Sequence, residues 1–136
     1  MSVVLISNAA PQAEQVRMAA ATDTVSIIYD SGSMTTSRLV DLIESVVEAR
    51  SGVEIGHLGI VTHGSPGQMN VGAGDFWSLE TLPSQMTTLR RLRSVLTVDA
   101  RLDLFACSVA SGVNGQEFVD ELAELTGADV YASDNP

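Results

Sequence analysis

Leu58-Gly59-Ile60-Val61-Thr62 runs directly into His63-Gly64, and this stretch decides the fold. Five consecutive apolar or β-compatible residues ending in a histidine and a glycine read as a buried strand that stops at a functional rim. The strand is expected to run from about Ile55 to Thr62. A second run of the same kind, Leu102-Asp103-Leu104-Phe105-Ala106, ends in Cys107, the only cysteine of the chain. In a parallel α/β sheet, the carboxyl ends of strands are where ligands bind and chemistry occurs. The separation of His63 and Cys107 is about one crossover unit, so the two strands are expected to be neighbours.

Upstream of this stretch, Leu39, Val40, Ile43, Val46 and Val47 recur at three- and four-residue steps. They predict an amphipathic helix capped by Thr36 or Ser37 and stopped by Ser51-Gly52. Further back lie a second strand, Val25 to Tyr29, a helix-compatible stretch from about Ala13 to Ala20, and a first strand, Val3 to Ile6. Downstream, His63 to Gly67 and Gly72 to Gly74 are breaker clusters flanking Gln68 to Val71. They predict a small hairpin at the carboxyl edge of the sheet. A helix is expected to open at Ser84 after Pro83, with Met86, Leu89, Leu92 and Leu96 on one face. Asn114 is expected to cap a helix carrying Phe118, Leu122 and Leu125, and Val130-Tyr131-Ala132 makes a fifth strand. Strand and helix alternation at this spacing predicts a three-layer α-β-α sandwich. Its sheet is mainly parallel and five-stranded, in the flavodoxin-like order 2-1-3-4-5.

The 136 residues fit one domain, 1–136, and the stop soon after the fifth strand is expected of a fragment of a longer protein. No run approaches the ~20 apolar residues that span a bilayer, and Ser2 to Ile6 is too short for a signal peptide. The net charge of −10 argues against nucleic acid, which needs a basic footprint. All seven basic residues are arginines, and Arg90, Arg91 and Arg93 are expected to balance acids on a helix face. A single cysteine excludes an internal disulfide and leaves the redox compartment open.

Cys107 is the candidate nucleophile. A thiol becomes reactive when a helix N-terminus or a histidine favours its thiolate, and Ser108 to Gly112 leads into the helix near Asn114. A strand, a tight turn and a helix also surround a side chain with backbone N–H groups, as an oxyanion hole requires. His63 is the candidate acid or base, and Gly64 offers an unobstructed N–H. The alternative for Cys107 is a buried, inert thiol. Metal ligation is disfavoured because His57, Cys107 and the carboxylates lack ligand spacing, so no metal and no cofactor are expected. No calcium-loop pattern is present. His57, at the opposite end of its strand from His63, reads as structural. Asp103 lies roughly 13 Å along its strand from Cys107, too far for a catalytic third member, and marks a solvated strand start or a polar pair.

Two motifs and a tail carry a family resemblance: Ile60-Val61-Thr62-His63-Gly64-Ser65, Leu104-Phe105-Ala106-Cys107-Ser108-Val109-Ala110, and Leu125-Thr126-Gly127-Ala128-Asp129-Val130. Together with Gly115-Gln116-Glu117-Phe118-Val119 and Ala132-Ser133-Asp134 they span nearly the whole chain. The pattern resembles the caspase–haemoglobinase superfamily of cysteine peptidases. More closely, it is similar to an uncharacterised bacterial domain near the N-terminus of very large surface and adhesin-like proteins with cadherin-like repeats. The resemblance implies a caspase-like fold, with Cys107 attacking a scissile carbonyl and His63 protonating the leaving amine across the substrate. It also implies an oxyanion hole built from the N–H groups of Gly64 and Cys107, and a setting in an exported or surface protein. Asp30 and Asp134, expected on the same rim, are candidates for a pocket selecting a basic substrate residue. Two functions stay open: a cysteine endopeptidase acting on a polypeptide, its own parent chain included, and a non-catalytic assembly or adhesion module. A flavodoxin-like ligand-binding domain is the weakest reading, because Ser7 to Pro11 makes a poor phosphate cradle. Oligomeric state is not legible.

Overall fold

A near-continuous apolar run is what a central parallel strand needs, and Leu58 to Val61 in the middle of the chain supplies one. A computed structural model describes residues 1–10, 13–20, 23–65, 67–72, 75–106 and 108–132. Cys107 and Asp134 therefore lie outside the described residues. Five strands form the main sheet: β1 (Ser2–Ser7), β2 (Thr24–Tyr29), β3 (Ile55–Val61), β7 (Leu96–Phe105) and β8 (Asp129–Ala132). Every pairing is parallel and the order is β2-β1-β3-β7-β8, which is the predicted 2-1-3-4-5 order.

Three helices share one core with the sheet: α2 (Thr36–Ala49), α3 (Leu82–Arg90) and α4 (Gly112–Thr126). Leu39, Val40 and Ile43 of α2, Leu89 of α3 and Phe118 and Leu122 of α4 pack with Val3, Leu5, Leu58, Ile60, Leu102 and Leu104. Among the described residues, the other face carries only α1 (Ala13–Ala19), which has no buried residue. Three layers are present, and their helical layers are unequal.

Several boundaries differ from the expected ones, each for a local reason. The cap of α2 is Thr35, extended at φ −115, whose side chain accepts the Arg38 N–H at 3.2 Å; Thr36 is buried inside the first turn. Helix α3 starts at Leu82, so Pro83 occupies the first turn, where its missing N–H costs nothing. Helix α4 starts at Gly112 after Ser111, which places Asn114 within the first turn. Leu96 lies on β7, not on the helix before it, because a 3-10 turn, Arg91–Ser94, ends that helix early. The strand expected at Leu102 to Ala106 is much longer, since the half from Leu96 to Arg101 joins the sheet past a register shift opposite Ile55 to His57.

The expected small hairpin is a second sheet of three antiparallel strands: β4 (His63–Ser65), β5 (Gln68–Gly72) and β6 (Asp75–Ser78). Its inner residues Met69 and Trp77 are fully buried. The Trp77 indole donates to Thr36 Oγ1 at 2.9 Å, and the Asp75 carboxylate accepts the Thr36 N–H at 2.7 Å. Both bonds tie the small sheet to the start of α2.

Of the arginine cluster, Arg91 balances acids as expected, whereas Arg93 meets backbone carbonyls. Arg91 bonds Asp41 and Glu44 of α2, and Arg93 donates to the Glu124 and Leu125 carbonyls at the carboxyl end of α4. A cation there complements the helix dipole.

Candidate functional site

Strands β1, β3 and β7 are adjacent and parallel, so their carboxyl ends share one rim. At that rim the Thr62 N–H donates to the Phe105 carbonyl at 3.2 Å, one residue beyond the Val61–Phe105 pair. His63 and the chain leading to Cys107 therefore leave neighbouring strands at matched positions. Thr62 turns the chain out of the main sheet by donating its hydroxyl to the Asn70 carbonyl at 2.5 Å. His63 opens β4 as an exposed residue.

The His63 ring is oriented by the backbone. Its Nε2 lies 2.8 Å from the Ala9 carbonyl oxygen. A carbonyl only accepts, so Nε2 carries the hydrogen and Nδ1 holds the lone pair of the neutral ring. Ala9 is itself fixed: its N–H donates to Ser7 Oγ at 3.1 Å, and the Ala10 N–H donates to the Ser7 carbonyl at 3.0 Å. The Asn8 N–H donates to the Tyr29 carbonyl at 3.0 Å, which ties this turn to β2. Residue types gave no hint of this group, because a main-chain carbonyl has no signature in a sequence.

The loop after β7 is held from two sides and closed by a turn of its own. The Gly67 N–H donates to the Val109 carbonyl at 3.0 Å, the Ser111 N–H to the Ser108 carbonyl at 3.0 Å, and the Gln116 amide to the Ala110 carbonyl at 2.8 Å. Ser108 has φ +59, the left-handed region that side-chain-bearing residues seldom adopt. Such a conformation persists only where surrounding contacts over-determine it, and it clusters at functional sites. The first of these bonds joins the His63 hairpin to the loop that carries Cys107.

A shallow cavity of about 210 Å³ opens beside His63, lined by His63, Gly64, Ser65, Gln68, Asn70 and Phe76. Strand β4 has a strand partner on one side only, so Gly64 lies on an edge. The chain belongs to the DUF4347 family. The match to this domain of unknown function covers residues 3–136, which takes in both sheets almost completely. No curated protein and no solved structure matches the chain. Among the described residues of this DUF4347 domain, no helix is long and apolar enough to cross a membrane.

His57 and Asp103 lie further back along their strands than the His63 rim. Asp30, at the carboxyl end of the parallel strand β2, lies on the same rim as expected but two strands from β3. Its carboxylate takes hydrogen bonds from the Gly32 N–H at 3.0 Å, the Ser33 hydroxyl at 3.3 Å and the Asn8 amide at 3.4 Å. His57 and Asp103 form a polar pair at 2.6 Å on the outer face of the sheet. Arg101 grips the same carboxylate at 2.9 and 3.1 Å and lies 3.8 Å over the Tyr131 ring. Burial pushes the Asp103 carboxyl up. The Arg101 and His57 hydrogen bonds, with the Arg101 charge, outweigh it and hold the group below the usual carboxylate range. This cluster braces β3, β7 and β8.

Proposed function

We propose that the domain is a cysteine endopeptidase in which Cys107 is the nucleophile and His63 the proton carrier. The observation that carries the reading is the oriented His63 ring at the end of β3. Its Nε2 is committed to Ala9, and the neighbouring strand leads directly to the only cysteine. In the proposed reaction the thiol proton passes to His63 Nδ1 and the sulfur attacks the scissile carbonyl. The tetrahedral oxyanion takes N–H donors from Gly64 and Cys107. Its collapse expels the amine, which leaves with the proton from His63, and water then hydrolyses the thioester. The rigid loop from Ser108 to Ser111 supports this reading, since preorganised donors cost no rearrangement during reaction. The parent polypeptide, in a surface or exported protein, is the substrate we favour.

The full natural polypeptide carrying this domain, alone and with added peptides, tests the proposal. Mass spectrometry should find specific cuts in the wild type and none with Cys107→Ala. His63→Ala should slow cutting about 100-fold or more, the range of a lost proton carrier. Identical intact products from wild type and Cys107→Ala would favour the assembly-module reading. That second reading draws on the half-exposed Phe105 and Tyr131 rings of the outer sheet face.

A further inference from the structure

We propose that the cavity beside His63 is the subsite for the residue on the leaving-amine side of the scissile bond, and that it takes an uncharged, flat side chain. The inference rests on the peptidase reading of His63 and adds a substrate class to it. In that reading His63 delivers its proton to the departing amine, so a side chain seated next to His63 belongs to the leaving half of the substrate.

The outer surface of the small sheet is built as a platform. His63, Asn70 and Phe76 stand opposite one another across β4, β5 and β6, and Ser65, Gln68 and Ser78 form the next row. Hydrogen bonds fix the platform to the main fold at several points. The Tyr29 hydroxyl donates to the Val71 carbonyl at 2.8 Å, and Trp77 and Thr62 make the bonds described above. Burial pushes the Tyr29 phenol above the usual tyrosine range, so it remains a donor. Beneath the same strand, a side chain at Gly72 would lie 2.7 Å from the Ser31 carbonyl oxygen, so the packing there is backbone on backbone.

The lining decides the class of occupant. Its residues are His63, one glycine, one serine, two carboxamides and one phenyl ring, with no carboxylate, lysine or arginine among those described. A basic side chain would meet the protonated His63 and lose hydration without an opposite charge. An acidic one would hold the proton on His63 and slow its delivery to the amine. Phe76, 37% exposed, offers a ring face for stacking. Asn70 Oδ1 is buried without a hydrogen-bond partner among the described residues, so the carboxamide at this wall is left incompletely satisfied by the fold. An aromatic side chain answers the ring of Phe76, and a carboxamide, with N–H groups to donate, answers the Asn70 oxygen.

The test uses a whole-proteome peptide digest as the substrate pool and reads the residue on the carboxyl side of every Cys107-dependent cut. Phe, Tyr, Trp, Asn and Gln should be enriched there over Asp, Glu, Lys and Arg. Phe76→Ala should reduce the rate for aromatic residues about tenfold, the most a lost aromatic pair is worth. Phe76→Leu, which keeps apolar bulk without a flat ring, should lose the same preference while remaining folded by its Trp77 emission. A peptidyl aminocoumarin puts a flat, uncharged ring on the leaving side, so both variants should hydrolyse it more slowly than wild type. Cys107-dependent cuts with charged or indiscriminate residues at that position overturn the subsite while leaving the peptidase intact. The absence of any Cys107-dependent cut overturns both.

Discussion

Asp103 shows how a residue that interrupts an apolar strand can be structural. Its carboxylate accepts from Arg101 and His57 on a sheet face otherwise short of partners. The folded-state pKa lies below that of the unfolded chain, about 3.9, so the unfolded state binds more protons in acid. The stabilisation is therefore complete above about pH 4 and is lost as pH falls through the lower, folded value. Asp103→Asn should cost about 2 kcal/mol at pH 7, the worth of hydrogen bonds to a charged group. Urea denaturation across pH should show wild type and variant converging in acid, whereas curves that stay parallel would deny the linkage. Residue chemistry of this kind was half legible. The sequence marked Asp103 as too far from Cys107 for catalysis and as a solvated strand start or a polar pair, but it did not single out Arg101 and His57 as the partners. The Ala9 carbonyl that aims His63 was illegible for a stronger reason, since its identity as alanine is irrelevant to the bond.

Elements whose apolar spacing is paid back by burial were the easiest to read. Leu39, Val40, Ile43, Val46 and Val47 of α2 are all buried, and so are Phe118, Leu122 and Leu125 of α4. The early half of β7 was missed because exposed Val98, Asp99 and Arg101 break any strand-like burial pattern, and its place is set by pairing to β3. Likewise, β6 hides behind a polar start, Asp75, whose carboxylate serves α2 instead of its own strand. Gly115 is an element-scale feature with a sharp consequence. A Cβ there would lie 2.5 Å from the Ala110 carbonyl carbon and 2.6 Å from the Val109 oxygen. Alanine improves helix propensity by about 1 kcal/mol, but overpacking against backbone costs about 1–3 kcal/mol and cannot be relieved by a rotamer. Gly115→Ala should therefore be net destabilising and should displace the loop beside Cys107, lowering both the denaturation midpoint and any Cys107-dependent cleavage. Gly112→Ala is the comparison: φ is +73 with nothing within 4 Å of the new Cβ. It should cost about 1–2 kcal/mol of backbone strain without pressing on that loop.

The whole molecule is lopsided for a topological reason. Right-handed crossovers put every connection that advances from β1 towards β8 on one face and the single step from β1 back to β2 on the other. Three helices therefore share one face, and the short α1 alone partly covers its opposite. All-parallel sheets are ordinarily buried on both faces, yet here Phe105 is 52% and Tyr131 47% exposed. An apolar groove of about 440 Å³ runs along that face, lined by Val4, Val16, Ala19, Ala20, Val61 and Phe105. Sequence periodicity predicted the sandwich and its strand order but not this asymmetry, because a strand reads as equally apolar whether or not a helix covers it. The groove should bind an apolar dye such as anilinonaphthalene sulfonate in the native state. Phe105→Ser should reduce that fluorescence severalfold while changing stability by about 1 kcal/mol or less, since a half-exposed ring contributes little burial. Val113→Ser serves as the control, because Val113 is 74% exposed on α4, away from the groove. Equal dye binding by wild type and Phe105→Ser would show that the outer face is not the accessible apolar surface. A drop confined to Phe105→Ser would place that surface on the side of the sheet that α1 leaves open.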